Sequence, residues 1–185
     1  MQPTALTTSP SELGVTHPLD MLTAAEISAA RAVLDQAGLL RPSTRFPRVM
    51  PVEPPKSVVL AHTEGDDDFD RALDITLLDT DTAETRRAVV SVTTGEIRSI
   101  ETLRTGEHPY GQAQYMFEEY DRAAEIVMAD PRWQAAMARR GIEDTTHSFV
   151  APLAPGFFPN IPDTAGTAAQ PVTIRTKSED LNAPY

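Results

Sequence analysis

The 185-residue sequence contains no cysteine, which excludes disulfide bonds and metal sites built on thiolates. It also has no run close to the roughly 18–20 apolar residues of a membrane-spanning helix. Residues 1–16 have neither the positively charged start nor the apolar core of a signal peptide. We therefore expect a cytoplasmic protein, with residues 1–16 as a disordered leader.

Positive charge is scarce. Sixteen Lys and Arg residues against 27 Asp and Glu residues give a formal net charge of −11, and the basic residues are scattered along the chain. Nucleic acids and anionic membrane surfaces repel such a chain, so we expect neither as a partner. The hydrophobic fraction of 41% is close to that of globular proteins, so we expect a packed core in at least part of the chain.

The motifs of common active sites are missing. There is no P-loop, no Gly-x-Ser-x-Gly elbow and no dinucleotide-binding glycine motif after a strand. The histidines are too far apart in sequence for a local metal motif, and two of them precede proline, which is typical of turns. They are His17, His62, His108 and His147. We predict no catalytic, cofactor-binding or metal-binding residue in this chain.

Three features have a functional interpretation and a simpler one. The acidic run 64–68 lacks the ligand spacing and the closing glutamate of an EF-hand loop, so a solvated turn is favoured. Glu118, Glu119 and Asp121 could suggest acid/base pairs, but adjacent helical residues do not face each other. A first helical turn that complements the helix dipole explains these carboxylates better. Trp133, at helical spacing, is predicted to be a core residue.

The clearest predicted element is a helix that begins after Thr23. Thr23 and Glu26 have the spacing of a capping box, and Gly38 is the residue type that ends helices. Between them, apolar residues recur at helical spacing and predict one buried stripe. The stripe consists of Ile27, Ala30, Leu34 and Ala37, with Val33 beside it.

Apolar alternation predicts an antiparallel sheet after this helix. Pro47 and Pro51 restrict the first strand to an edge or to irregular pairing. Thr94-Gly95 predicts a hairpin, and broken alternation after it indicates a bulge near Ser99. The predicted strands are 44–52, 57–62, 69–79, 86–93 and 96–103. The fold class is therefore α+β, with residues 17–104 as a first domain whose helix covers the sheet.

Residues 105–162 repeat this order in part. Helices are predicted from 114 to 140, interrupted at Asp130-Pro131, and a strand follows over 147–153. One more strand-like piece, 171–176, cannot cover these helices, so several apolar side chains should stay partly exposed. These are Tyr115, Met116, Trp133 and Met137. We predict a duplicated unit with a truncated second copy over 105–162, then a divergent, disordered tail over 163–185. A truncated or frameshifted gene would produce such a tail.

An ordered set of motifs resembles the N-terminal region of copper-containing primary amine oxidases. The set begins with His17-Pro18-Leu19-Asp20, Leu22-Thr23 and the helix at Glu26–Ile27. It continues with Val52-Glu53-Pro54-Pro55-Lys56, the strand 71–79, the strand 88–92 running into Gly95, Glu118, Val127, the Pro131 helix, Arg140-Gly141-Ile142 with Asp144, and 150–153 before Gly156. Together these motifs span about residues 17–158.

The resemblance implies two domains of cystatin-like fold, each a helix packed on a curved antiparallel sheet. In complete members a C-terminal β-sandwich follows, with three copper-binding histidines and a tyrosine that becomes topaquinone in an Asn-Tyr-(Asp/Glu)-Tyr motif. Those enzymes oxidise primary amines to aldehydes and release ammonia and hydrogen peroxide. In this chain no tyrosine follows an asparagine, so we assign no copper or topaquinone site to it. The tyrosines are Tyr110, Tyr115, Tyr120 and Tyr185.

Three functions follow from the sequence. The favoured one is a non-catalytic N-terminal fragment of a copper amine oxidase, inactive alone, whose partner is a missing catalytic domain or a second copy in a homodimer. Copper and topaquinone are implied only for the full-length family. An alternative is a stand-alone protein-interaction module of cystatin-like fold. A small enzyme with a pocket between helix and sheet is disfavoured because the inward faces are apolar.

Overall fold

The computed structural model describes residues 7–104, 113–153 and 170–175, with side chains up to residue 151. The chain divides into two units, Met1–Gln114 (unit 1) and Tyr115–Tyr185 (unit 2). None of the helices in these described ranges is long and apolar enough to cross a membrane.

Unit 1 is a helix packed on a four-stranded antiparallel sheet. Its elements are a 3-10 turn at Ser11–Leu13, α1 (Ala24–Gln36), β1 (Thr44–Pro51), α2 (Lys56–Ala61), β2 (Ala72–Asp79), β3 (Thr85–Ser91) and β4 (Glu96–Leu103). The strand order is β1-β2-β3-β4, and α1 packs against β3 and β4. The predicted α+β class is confirmed.

Helix α1 begins as its sequence predicts. The Thr23 hydroxyl accepts from the Glu26 N–H at 3.1 Å, and the Glu26 carboxylate accepts from the Thr23 N–H at 2.9 Å. The buried face is rotated from the predicted stripe, since Ile27 is 45% exposed while Glu26 is fully buried beside Ala30 and Leu34. A buried partner for the Glu26 carboxylate, described below, explains this rotation.

The core of unit 1 lies between α1 and the inner face of the sheet. Alternation on β2 places Leu73, Ile75 and Leu77 toward the helix, each at most 3% exposed. The remaining buried apolar residues of the cluster are Leu13, Val15, Ala30, Leu34, Phe69, Ala88, Val90 and Val92. The inward strand faces are therefore apolar, as predicted.

Residues 7–16 are part of this unit. Leu13 and Val15 are 5% and 0% exposed, and the Thr8 N–H donates to the Thr93 carbonyl at 3.0 Å. The predicted disordered leader is therefore wrong for residues 7–16, because two apolar side chains in a short polar stretch give too little periodicity to indicate burial. Residues 1–6 lie outside the described residues.

Two of the strand pairs contain a register shift, and a glycine forms the turn between β3 and β4. β1 lies at a sheet edge and its register shifts between Arg45 and Arg48, around Pro47. The β3–β4 hairpin turns at Gly95, whose φ is +67°. Register shifts again where Val89 pairs with Ser99 and Val90 with Ile97, which leaves Arg98 as the extra residue. The predicted bulge near Ser99 is confirmed.

The predicted strand at 57–62 is wrong, because this stretch is helix α2, Lys56–Ala61. Pro55 precedes the helix, and Val58 packs on the core while Leu60 is 75% exposed. The apolar run has four residues, Val58 to Ala61, and so short a run does not distinguish a buried strand from a short helix by periodicity. In the sheet β1 pairs directly with β2, so no strand lies between them.

Unit 2 contains α3 (Phe117–Ala129), α4 (Pro131–Ala138), β5 (Ser148–Leu153) and β6 (Gln170–Arg175). The strands pair antiparallel, and α3 packs against β5.

Four apolar side chains of unit 2 were predicted to stay partly exposed. This is wrong for Met137, which is buried at 6% exposure, whereas Tyr115 is 38% exposed and Met116 and Trp133 are half-buried. The predicted disordered tail is wrong for 170–175, and the rest of 163–185 lies outside the described residues. That unit 2 is a truncated copy of unit 1 stays a prediction.

Candidate functional site

A buried ion pair joins α1 to the start of β2. Arg71 Nε donates to Glu26 Oε1 at 2.7 Å, and Arg71 Nη2 donates to Glu26 Oε2 at 3.2 Å. The side chains are 4% and 0% exposed. Buried charges are tolerated when they are paired and when their remaining hydrogen-bonding positions are also satisfied. Both conditions hold here, because the same carboxylate caps α1 and the guanidinium has further acceptors.

Those further acceptors belong to the His17–Asp20 segment. Arg71 Nη1 donates to the Pro18 carbonyl at 2.8 Å, and Nη2 donates to the Asp20 carbonyl at 3.0 Å. The Arg71 guanidinium therefore holds the His17–Asp20 segment against both α1 and the sheet. The His-Pro-Leu-Asp motif has a structural explanation, since this tight turn presents two carbonyls to a buried arginine.

The turn is also closed by its own side chains. Asp20 Oδ2 accepts from the backbone N–H groups of Thr16 at 2.8 Å and His17 at 2.9 Å. These bonds lower the pKa of the Asp20 carboxyl below 3.8, and the bond from Thr16 has the largest effect. His17 Nδ1 accepts from the Leu19 N–H at 3.1 Å, so the predicted role of His17 in a turn is confirmed. His108 lies outside the described residues.

Folding brings His17 and His62 together although 45 residues separate them. Their ring centroids are 4.9 Å apart in an edge-to-face arrangement, and the His62 ring makes a second such contact with Phe69 at 5.4 Å. His62 Nδ1 is buried and has no hydrogen-bond partner within the described residues. No local sequence signal indicates this pair, because the contact depends on how the N-terminal segment packs on α2.

These two histidines border a cleft of about 600 Å³ in unit 1. Val15 and Thr16 line one side of it and the acidic turn 64–67 lines the other. Two of the acidic side chains have structural partners. Asp67 accepts from the Ser11 N–H at 2.8 Å and from the Ser11 hydroxyl at 2.6 Å, which lowers the pKa of its carboxyl. Asp66 accepts from the Asp68 N–H at 3.0 Å.

The cleft does not have the donor set of a copper site. A metal site needs several donor atoms that converge on one point. His17 Nδ1 already accepts a backbone hydrogen bond, and no group of three His, Asp or Glu side chains in residues 7–104, 113–153 and 170–175 could hold a metal ion. That the chain has no catalytic, cofactor-binding or metal-binding residue stays a prediction.

A charged cluster crosses the outer face of the sheet. Asp74 on β2 is paired with Arg87 on β3 at 2.7 Å and with Arg48 on β1 at 3.0 Å. The hydrogen bond from Arg87 is the main cause that lowers the pKa of the Asp74 carboxyl, and the charge of Arg48 adds to it. Asp74 lies on the outer face because it alternates with the inward Leu73 and Ile75 on β2. Its pairing with arginines on both neighbouring strands depends on strand register.

The chain is similar to one family of domains and to several known oxidases. A family model, the AGAO-like N2 domain, matches residues 23–100. The chain is 33% identical to the histamine oxidase of Arthrobacter globiformis over 142 residues, 77% of this chain and 20% of that protein. It is 28% identical to the copper methylamine oxidase of Arthrobacter sp. (strain P1) over 173 residues, 94% of this chain and 25% of that protein.

Residues 23–100 resemble the AGAO-like N2 domain. The resemblance to the N-terminal region of copper amine oxidases is thereby confirmed. A third relative, the primary amine oxidase of Klebsiella aerogenes, is 29% identical over 144 residues, 77% of this chain and 18% of its own length. The chain thus spans about a fifth to a quarter of the length of the relatives named here.

The range that matches the N2 domain contains both charge clusters of unit 1. Glu26, Arg71 and Asp74 lie within residues 23–100, while the His17–Asp20 segment that Arg71 holds precedes the matched range. The buried ion pair therefore joins the matched range to the segment that precedes it. In this domain the buried carboxylates of Glu26 and Asp74 are each paired with arginine.

The candidate residues of unit 2 have structural explanations. Glu119 Oε2 accepts from the Met116 N–H at 2.8 Å at the start of α3. Asp130 caps α4 by accepting from the Arg132 N–H at 2.7 Å, and the Arg132 guanidinium lowers the pKa of Asp130 to about 2. Tyr115 and Tyr120 make an edge-to-face contact at 6.2 Å. Tyr110 and Tyr185 lie outside the described residues.

Proposed function

We propose that this chain acts as a non-catalytic N-terminal part of a copper-dependent primary amine oxidase. The match of residues 23–100 to the AGAO-like N2 domain is the observation that carries the proposal. The relatives' names describe copper and primary-amine oxidases, and the whole enzyme would deaminate a primary amine to an aldehyde with release of ammonia and hydrogen peroxide. Copper and topaquinone would belong to a catalytic domain outside these 185 residues.

The chemistry of unit 1 supports a scaffold role. Its buried carboxylates are engaged by arginine or by backbone N–H groups, and its inner sheet face is apolar. A group that is already paired in a rigid network is poorly placed to exchange protons with a substrate. In the proposal, unit 1 is one cystatin-like domain, unit 2 is part of a second, and their partner is the catalytic domain.

The first experiment reads the DNA beyond the codon for Tyr185 in all three frames. The proposal expects an Asn-Tyr-(Asp/Glu)-Tyr motif and a His-x-His pair there, because these supply topaquinone and copper in the family. Finding both would support a catalytic partner encoded next to this chain. Finding neither motif would contradict the proposal and favour an independent module.

A biochemical experiment tests the absence of catalysis directly. The purified chain is incubated with Cu²⁺ and a panel of primary amines, and hydrogen peroxide is followed by a peroxidase-coupled reaction. We expect no peroxide above the protein-free control and no staining for protein-bound quinone. Amine-dependent peroxide that is lost after heat denaturation would overturn the non-catalytic assignment.

The second candidate is a stand-alone interaction module, which the surface of unit 2 favours. Phe117, Ile126 and Phe149 are 90%, 58% and 50% exposed. Exposed apolar side chains of this size can form part of a surface that another molecule covers. The downstream DNA distinguishes the two candidates, since only the first requires catalytic motifs. The cytoplasmic location expected from the sequence is part of either proposal.

A further inference from the structure

Two imidazole rings attach the N-terminal segment of unit 1, residues 7–22, to helix α2. His17 lies in this segment and His62 directly follows α2, and their ring centroids are 4.9 Å apart. The segment also places Leu13 and Val15 in the buried core. The charge on the two rings therefore acts on a contact that helps to hold the segment over the core.

Neither ring has a place for a second proton in this packing. His17 Nδ1 accepts a hydrogen bond from the Leu19 N–H at 3.1 Å, so the uncharged ring carries its proton on Nε2. A proton on Nδ1 would set one donor against another and break this bond. His62 Nδ1 is buried, and it has no hydrogen-bond partner in the part of the chain that the structure describes. The charged ring must carry a proton there as well, and a buried donor without an acceptor is costly.

Carboxylates surround the pair but do not supply the missing acceptor. The acidic side chains that line the cleft, or a smaller cavity of about 260 Å³ that His62 also lines, are Glu64, Asp66, Asp67 and Asp68. Within the turn of His17, Asp20 accepts from the backbone N–H of His17 at 2.9 Å. These groups attract an imidazolium, but none of them accepts a hydrogen bond from His62 Nδ1, and His17 Nδ1 is directed at the Leu19 N–H. On the sheet side, Arg71 already adds a positive charge against the same turn.

We propose that the His17–His62 contact is an acid-sensitive latch, which releases residues 7–22 when the two rings take up protons. In the packed state, protonation breaks the Leu19 bond, leaves a buried N–H unpaired and places two positive charges in contact. After release, both rings reach water and can be charged without these costs. The release uncovers the part of the apolar core that Leu13 and Val15 cover at neutral pH.

The expected size of the effect follows from proton linkage. An exposed histidine ordinarily titrates near pH 6.5. A ring that is uncharged while packed and binds a proton only after release makes the released state about tenfold more populated at pH 5.5 than at pH 7.5. The two rings together give up to about a hundredfold.

Hydrogen exchange of the full 185-residue chain at pH 7.5 and pH 5.5 measures the release. Each observed rate is compared with the rate of an unstructured peptide at the same pH, which gives a protection factor. We expect the protection of residues 7–22 to fall about ten- to a hundredfold between the two pH values. At both values the segment should be less protected than β2 and β3, because it opens without the sheet. Protection that does not change with pH, or that is equal in the segment and in β2, would overturn the proposal.

The double variant His17→Asn, His62→Phe removes both titrating rings. The Asn side chain accepts from the N–H two residues later in the chain, as His17 Nδ1 does, and Phe keeps the ring packing at position 62. This variant should have the same protection at both pH values. His147→Asn, in unit 2, is the matched control and should lose protection as wild type does. If the double variant lost as much protection as wild type, other groups would be responsible and the latch would be wrong.

A nuclear magnetic resonance experiment on the wild-type chain tests the latch without a substitution, so it decides the question if the double variant does not fold. Long-range ¹H–¹⁵N spectra report which ring nitrogen carries the proton. At pH 8 we expect the Nε2–H form for His17 and His62, and each ring should become charged only as residues 7–22 lose their protection. Rings that become charged while the segment stays protected would contradict the inference.

Discussion

Arg71 is the residue whose removal should cost the most stability in unit 1. Arg71→Ala leaves the buried Glu26 carboxylate without its partner and frees two carbonyls of the His17–Asp20 turn. Breaking a buried ion pair in this way typically costs about 3–5 kcal/mol, and we expect a loss of that size in the free energy of unfolding. Urea denaturation at pH 7 measures it.

Arg41→Ala is the matched control for Arg71. Arg41 pairs with Asp79 at 3.2 Å, but its side chain is 61% exposed. The buried Asp79 carboxylate still accepts from the N–H groups of Asp81 and Thr82 when Arg41 is removed, so the Arg41 variant should unfold at nearly the wild-type urea concentration. Equal losses for both arginines would show that burial of the Glu26–Arg71 pair has no special role.

Asp74 should make stability depend on pH in the acid range. Its folded pKa lies below 3.8 because Arg87 and Arg48 bind the ionised carboxylate. The stabilisation is therefore complete above pH 3.8 and is lost as pH falls through the lower, folded pKa. Asp74→Asn should be less stable than wild type at pH 7, and the difference should shrink below about pH 4. Urea midpoints measured from pH 7 to pH 2 check this, and a difference that is constant with pH would contradict it.

At this scale the sequence predicts local partners and misses distant ones. The Thr23–Glu26 capping box was predicted because both residues lie in one helical turn. The contact of Glu26 with Arg71 was not predicted, since 45 residues separate them and a lone arginine before a strand carries no signal. The His17–His62 contact was not predicted for the same reason, since 45 residues also separate these two rings.

Among the elements, α1 depends on its N-terminal cap. The Thr23 hydroxyl accepts from the Glu26 N–H and donates to the Leu13 carbonyl at 2.8 Å, so it also connects the helix to the N-terminal segment. Thr23→Ala removes both bonds and should lower the free energy of unfolding by about 1–2 kcal/mol. Thr23→Ser keeps the hydroxyl and should stay within about 0.5 kcal/mol of wild type. Similar losses for Ala and Ser would show that the methyl group, rather than the hydroxyl, matters.

The elements that were predicted correctly from the sequence have local signals for a helix start, a turn or a helix end. The capping box begins α1, Gly95 forms the β3–β4 turn, and Asp130-Pro131 separates α3 from α4. α2 lacks such a signal, because its apolar run fits a strand or a helix and only the direct pairing of β1 with β2 decides between them. The burial of Leu13 and Val15 likewise depends on a core assembled from later parts of the chain.

On the scale of the whole molecule, the buried apolar core is unevenly distributed. Unit 1 contains eleven residues in one buried cluster. Among the described side chains of unit 2, the buried apolar residues are Met137, Val150 and Ala151. Burial of apolar surface is the main source of stability, and regions with few buried contacts open more readily. The two units should therefore differ in how easily their backbones open.

Native-state hydrogen exchange tests this difference. We expect the amides of β2 and β3 to exchange most slowly, because both strands are internal to the sheet and border the core. The amides of α3 and α4 should exchange faster. Mass spectrometry of peptic fragments at several exchange times gives the comparison, with β4 as an internal reference for an edge strand. Equally slow exchange in α3, α4, β2 and β3 would contradict the expectation and would show that unit 2 is as well packed as unit 1.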